Sequence, residues 1–313
     1  MKGRPSVMAK AARNRAESAR ARIAAQQAAA RRAEQRRRIL LASGGVLIVI
    51  IVVVVLIVVK AGQSPAKAPP AKSDAAIAHE LATIPAGTYD AVGAGPSGSN
   101  AVSPLRPISA LQLTSGGKPE IFYLGAEYCP FCAAERWAIV TALSRFGTFT
   151  GLHFIHSTSQ DAYSNTATLD FYGSRYASSY VTFTPVESET VTGAPLQTPT
   201  AGQAKLITKY DAVPYVPASA AGKIPFIDFG GAYVDSGAQY QPSVLGTTAA
   251  EDPSHFGLTW AQIAADLRDP HSPVAQNVLG AANRITAAIC KLTHGQPGNV
   301  CQSAAVTSVR STI

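Results

Sequence analysis

The longest apolar run, residues 39–59, holds 21 residues without a charge and is broken only by Ser43, Gly44 and Gly45. As a helix it spans about 30 Å, the thickness of a bilayer core. The pattern predicts one transmembrane helix. The competing reading is a cleaved signal peptide with Ala66-Lys67-Ala68 as its cleavage site. Such an apolar region is usually about 7–15 residues, shorter than this run. Further along, Ile77 to Ile84 predicts a short helix. Ile121-Phe122-Tyr123-Leu124-Gly125 is continuously apolar, as in a strand buried on both faces. After it, Cys132, Ile139, Leu143 and Phe146 recur on one helix face, with Gly147 as a stop. Leu152 to His156 predicts a short strand, and Tyr180 to Val186 alternates like an edge strand. Ile224 to Phe229, Gly230-Gly231 and Ala232 to Val234 predict a hairpin, with Pro225 at the head of its first strand. Thr259 to Leu267, capped by Thr259, and Val274 to Leu292 predict helices. The rest of 159–222 gives no assignment.

Charge changes the picture of the termini. Residues 1–38 hold ten Arg, two Lys and two acids, a net of +10 in a chain of net +8, so residues 39–313 together are net −2. A nucleic-acid-binding domain would spread basic residues over a folded face, and this chain does not. Arg36, Arg37 and Arg38 abut the apolar run on one side and only Lys60 on the other. The positive-inside rule then keeps the N-terminus in the cytoplasm. The expected organisation is a basic cytoplasmic tail (1–38), a membrane helix (39–59), a Pro/Ala linker (60–75) and an extracytoplasmic domain (76–313). In that oxidising setting, cysteines form and keep disulfides.

The chemistry centres on Cys129-Pro130-Phe131-Cys132 at the junction of the predicted strand and helix. Residues three apart at a helix start bring their sulfurs to one side. The helix N-terminus carries about half a positive charge, which favours a thiolate at the first cysteine. Cys129 is therefore expected to be the exposed nucleophile and Cys132 the buried resolving thiol. Pro130 suits the first helical position; it and Phe131 are candidate substrate contacts. Glu127, two residues before Cys129 in an extended strand, would point the same way and is a candidate proton relay. Glu135 and Arg136 read as a solvated helix face, and Trp137 as packing. His153 and His156 read as structural. A zinc site would need ligands at a second suitable spacing, and neither the remaining cysteines nor the scattered histidines supply them; no metal or cofactor is expected. Cys290 and Cys301 are expected to form a structural disulfide, the alternative being a second redox pair.

The strand–CPFC–helix stretch followed by an Ile-Pro hairpin resembles the thioredoxin superfamily. More closely, residues 76–302 resemble a family of membrane-anchored, thioredoxin-like bacterial and archaeal proteins known as a domain of unknown function. The segments that carry this are GAEYCPFCAAERWAIVTALSRFGTF, FYGSRYASSYVTFTPVE, IPFIDFGGAYVDSGAQY and ITAAICKLTHGQPGNVC. The resemblance implies an α/β fold, a central mixed sheet flanked by helices, with 159–222 as a long insertion. It also implies that Pro225 is a cis-proline facing the CxxC and that Ile224 pairs with substrate backbone. The expected activity is thiol–disulfide exchange with secreted or membrane proteins, served by an unidentified redox partner. The alternative is a non-catalytic anchored binding module. On that reading the region 159–222, which holds six of the eleven tyrosines, is the contact surface.

Overall fold

The computed structural model describes residues 73–96, 105–246 and 257–313. The tail 1–38, the apolar run 39–59 and linker residues 60–72 lie outside the described residues. Among the described residues no helix is long and apolar enough to cross a membrane. The domain begins inside the expected linker. Ser73 caps helix α1 (Asp74–Ala82), its hydroxyl accepting the Ala76 N–H, so Ser73 to Ala75 belong to the domain. Helix α2 (Ala86–Val92) follows.

A mixed sheet forms the centre. Its strands are β1 (Arg106–Pro107), β2 (Thr114–Ser115), β3 (Lys118–Gly125), β8 (Thr182–Glu187), β9 (Phe226–Phe229) and β10 (Tyr233–Ser236). The main path runs β1, β10, β9, β3, with β2 pairing the start of β3 and β8 lying parallel to β3. β3 shows why its sequence is continuously apolar. Ile121 and Tyr123 enter the larger core with Ile227 and Phe229. Phe122 enters a second cluster on the other face, with Phe226, Val234 and Val186. Alternate side chains leave a strand on opposite faces, and here both faces are covered. The expected hairpin is β9–β10, with Ala232 belonging to its turn. Gly230 and Gly231 adopt φ of 61° and 75°, a conformation glycine reaches without a Cβ clash. Asp228 accepts the Gly231 N–H at 2.6 Å.

Helix α3 (Pro130–Leu143) carries the CxxC, and every residue in it except Phe131 is buried. It packs against α6 (Pro273–Leu292) and against β6 (Ala167–Asp170). Two small two-stranded antiparallel sheets lie outside the central sheet: β4 (Gly147–Thr150) with β7 (Arg175–Ser178), and, between them in sequence, β5 (His153–His156) with β6. The helix ends at Leu143 with Ser144 as its C-cap, four residues before the expected stop, and Gly147 is the first residue of a strand. The second face of the sheet is covered by α4 (Ala201–Tyr210) and the residues after it, through Leu206, Tyr210 and Val216. The expectation that 159–222 is an insertion needs correction. This stretch supplies β6, β7 and α4, and also β8, whose ladder with β3 runs from Glu120↔Thr182 to Gly125↔Glu187.

The chain closes with α5 (Trp260–Asp266), capped by Thr259 in a capping box with Gln262, then α6, α7 (Gly298–Cys301) and α8 (Ala304–Val309). Cys290 on α6 and Cys301 on α7 form a disulfide with Cα atoms 5.5 Å apart. Both are buried within the larger core. Replacing both by alanine is expected to lower stability by about 3 kcal/mol, because the cross-link restricts the unfolded chain. Urea unfolding of the full chain checks this; an unchanged midpoint would show that the bond contributes nothing.

Candidate functional site

Cys129 is the N-cap residue of α3, and Pro130 takes the first helical position. The Cys129 sulfur accepts the Cys132 N–H at 3.4 Å. On its other side, 3.8 Å away, is the Ile224 carbonyl oxygen, to which the thiol donates. The Ile224–Pro225 peptide is cis. Two segments 95 residues apart in sequence thus meet at one sulfur. Cys129 and Cys132 are not bridged to each other. Cys129 is 7% exposed and Cys132 is fully buried, so Cys129 is less open than the sequence reading expected, with the 224–225 peptide lying against it. Pro130 and Pro225 are buried, whereas Phe131 and Ile224 are partly exposed. Phe131 meets Tyr163 edge to face at 5.8 Å.

The two thiols are driven apart electrostatically. The hydrogen bond from the Cys132 side chain lowers the Cys129 pKa most. The Cys132 N–H, the Arg136 guanidinium and the Phe131 N–H act the same way, against burial. Burial raises Cys132 well above an ordinary thiol, and its hydrogen bond to Cys129 adds to the rise. A nucleophile next to a protonated partner is the asymmetry that exchange chemistry requires.

Below the thiols lies an ion pair. Arg136, one turn along α3 from Cys132, donates from Nε to Glu187 Oε1 at 2.8 Å and from Nη2 to Glu187 Oε2 at 2.7 Å. Nη2 also donates to the Ala126 carbonyl at 2.7 Å. Neither side chain of the pair is exposed. The assignment of Glu135 and Arg136 to a solvated face is therefore wrong, because α3 is enclosed on all sides. Arg136 Nη1 and the Tyr123 hydroxyl are buried and have no hydrogen-bond partner among the described residues. Tyr123 lies so close to Gly125 that a Cβ there would overlap its hydroxyl. The groups acting on Tyr123 include Arg136, Cys132 and Glu187, which places it in the same buried layer.

Glu127 lies in a turn and not at an extended strand end. Its Oε2 accepts the Val191 N–H at 3.0 Å. Burial, and then Asp170, raise its pKa. The charged side chains acting most on Cys132 are Arg136 and Glu187. His153 and His156 sit on β5, outside the central sheet, with His156 against Trp260 at 4.4 Å. Among the described residues no group of three or more His, Cys, Asp or Glu is placed to hold a metal ion.

The second cysteine pair is remote from the first. Lys291, next to Cys290, donates to the Tyr233 hydroxyl at 2.6 Å, and Leu292 lies against Gly230. Tyr233 and Gly230 flank the β9–β10 turn. Pro225 precedes the other end of β9, about 13 Å away along a four-residue strand.

The arrangement defines a mixed α/β protein with a CxxC at the mouth of a buried helix, facing a cis-proline. A family model described as "Domain of unknown function (DUF929)" matches residues 105–291, more than half of the chain, and the chain belongs to that family. The match includes Cys129, Cys132, Arg136, Glu187, Ile224 and Pro225 and stops before Cys301. No curated protein matches the chain, and no solved structure does.

Two outcomes follow for this site. Iodoacetamide should alkylate Cys129 with a pH midpoint below about 8.5, the unperturbed thiol value, while Cys132 stays unmodified beyond that pH. A Cys129 midpoint at or above it would contradict the electrostatics described. Arg136→Ala strands the Glu187 carboxylate in the core and should destabilise by about 3–5 kcal/mol. Replacing both partners by leucine should recover most of that loss in the same denaturation experiment; no recovery would mean that the pair itself is net stabilising.

Proposed function

We propose that this protein is a membrane-anchored, extracytoplasmic thiol–disulfide oxidoreductase of thioredoxin-like architecture, acting on disulfides of secreted or membrane proteins. The observation that carries this reading is the meeting of the helix-capping Cys129 sulfur with the Ile224 carbonyl beside a cis-proline. An extended substrate strand laid along Ile224 would bring its own sulfur to Cys129. The 39–59 apolar run and the basic residues before it support the anchor and its orientation.

The reaction runs in two displacements. The Cys129 thiolate attacks one sulfur of a substrate disulfide; a new S–S bond forms and the other substrate sulfur leaves as a thiolate that takes a proton. Cys132 then loses its proton and attacks the Cys129 sulfur. The substrate leaves with both sulfurs reduced, and Cys129–Cys132 is the oxidised product. Run backwards, the same steps oxidise a dithiol. Cys132 is raised by burial, so its deprotonation is the step that needs help. Arg136 favours the charged form there, and Glu127 is the candidate acceptor for the proton.

The alternative of an inert binding module needs a stable, unreactive Cys129–Cys132 unit. The unbridged thiols of opposed pKa support the exchange reading instead. With dithiothreitol as electron donor, the full chain should accelerate reduction of insulin disulfides. Cys129→Ser should abolish the acceleration, and Cys132→Ser should accumulate a mixed disulfide with insulin. Undiminished activity in the Cys129→Ser protein would end this assignment.

A further inference from the structure

The sequence places Glu135 on the CxxC helix, three residues after Cys132, and the fold buries it completely. A carboxyl group taken out of water needs hydrogen-bond partners. Glu135 has two, and both belong to Gln239. The Gln239 backbone N–H donates to Oε2 at 2.9 Å, and its side-chain Nε2 donates to Oε1 at 3.3 Å. Gln239 is held in turn by Arg284 on α6, whose Nε donates to Gln239 Oε1 at 2.8 Å. The next residue, Tyr240, donates its hydroxyl to the Ala134 carbonyl on the same turn of α3.

Residues 237–240 therefore form a strap lying on the first turns of α3. Its other end reaches the cis-proline, where the Gly237 N–H donates to the Pro225 carbonyl at 2.7 Å. Ser236, immediately before, pairs with Phe226 in the β9–β10 ladder. Its hydroxyl is fixed by Asp211 at 2.8 Å and by the Ala220 carbonyl at 2.9 Å. Gln239 and Tyr240 are buried along with Glu135. The 224–225 peptide has no covalent tie to Cys129. Its placement against the sulfur depends on what joins the end of β9 to α3, and the strap is such a junction.

We propose that Glu135 is a positioning residue: by anchoring Gln239 it fixes the strap that holds Ile224–Pro225 opposite Cys129, and so sets the register in which an extended polypeptide substrate meets the sulfur. This rests on the exchange reading above for its catalytic consequence, but not for its structural one. Burial, and then the neighbouring Asp235, raise the Glu135 pKa, which favours a neutral carboxyl. Glutamine has the same shape and an oxygen acceptor for the Gln239 N–H, so Glu135→Gln is the conservative variant, whereas Glu135→Ala leaves the strap without its anchor.

The test uses the full chain and three readouts. Hydrogen exchange is followed at the amides of residues 224–240, alkylation of Cys129 with iodoacetamide, and reduction of insulin with dithiothreitol. Glu135→Ala should speed amide exchange in that segment and raise KM for insulin about tenfold with little change in kcat, the signature of lost uniform binding. The alkylation rate should stay as in the parent, and Glu135→Gln should restore most of the loss. If Glu135→Ala does not fold, Gln239→Ala should move the same readouts in the same direction by less. Unchanged amide exchange at 224–240 in a folded variant overturns the proposal. So does an alkylation rate that falls in step with insulin reduction, since Glu135 would then act on the thiol itself. If the parent chain reduces no insulin yet Glu135→Ala still loosens 224–240, the strap stands and the exchange reading fails.

Discussion

A helix enclosed by protein on every side must satisfy within the protein any charge it carries. Helix α3 is such a helix, and the site depends on how it meets that demand. Arg136 forks onto Glu187 and onto the Ala126 carbonyl, so one guanidinium joins the helix to the parallel edge strand and to the segment entering the CxxC. Glu135 turns the other way and receives Gln239, joining the helix to the chain beyond β10. The two neighbours hold opposite sides of the cysteine pair. Buried pairs of this kind are weak evidence for net stability; what they provide here is a fixed geometry around two sulfurs, with a positive group close enough to act on both thiols.

The parts of the fold legible in the sequence are those whose signal is local. The apolar run of β3, the Gly-Gly hairpin, the Thr259 cap and the long α6 helix each depend on a few neighbouring residues, and each is found where the pattern places it. Cys129 and Cys132 were legible for the same reason, since spacing and the following helix are contiguous with them. The environment of α3 was not. Cys132, Ile139, Leu143 and Phe146 mark one apolar face, and a one-faced helix would leave Glu135 and Arg136 in water. The opposite face is covered by partners from distant segments, β6 and α6 among them, so no local pattern reports it. The signal that was present is compositional: apart from Glu135, Arg136 and Thr141, the 13 residues from Phe131 to Leu143 are apolar, a proportion suited to a helix buried all round. The stretch 159–222 was hard to read because β6, β7 and β8 are four to six residues long and the partners of β7 and β8, β4 and β3, are distant in sequence.

The two cysteine pairs differ in state and in position: Cys290–Cys301 is bridged and Cys129 and Cys132 are not. One pair lies where a strand end, a helix mouth and a cis-proline converge. The other lies at the far end of the same hairpin, where the last part of α6 is joined to the C-terminal helices. The difference lies in the surrounding charges and carbonyls: Arg136 and the Ile224 carbonyl bear on the first pair.

The parallel pairing of β3 with β8 has a consequence for the order of folding. Residues 126–181 intervene between the two strands and include α3 and both outer two-stranded sheets. Bringing such distant strands together carries a loop-closure cost that is met only once the ladder forms. Local elements, α3 first among them, would then gain protection before β8 docks, and pulse-labelled hydrogen exchange would see the β8 amides protected last. Since Glu187 is the final residue of β8, the positive charge of Arg136 would go without its partner until that late step. The cysteines would therefore pass through an interval in which their electrostatic surroundings differ from those of the finished site.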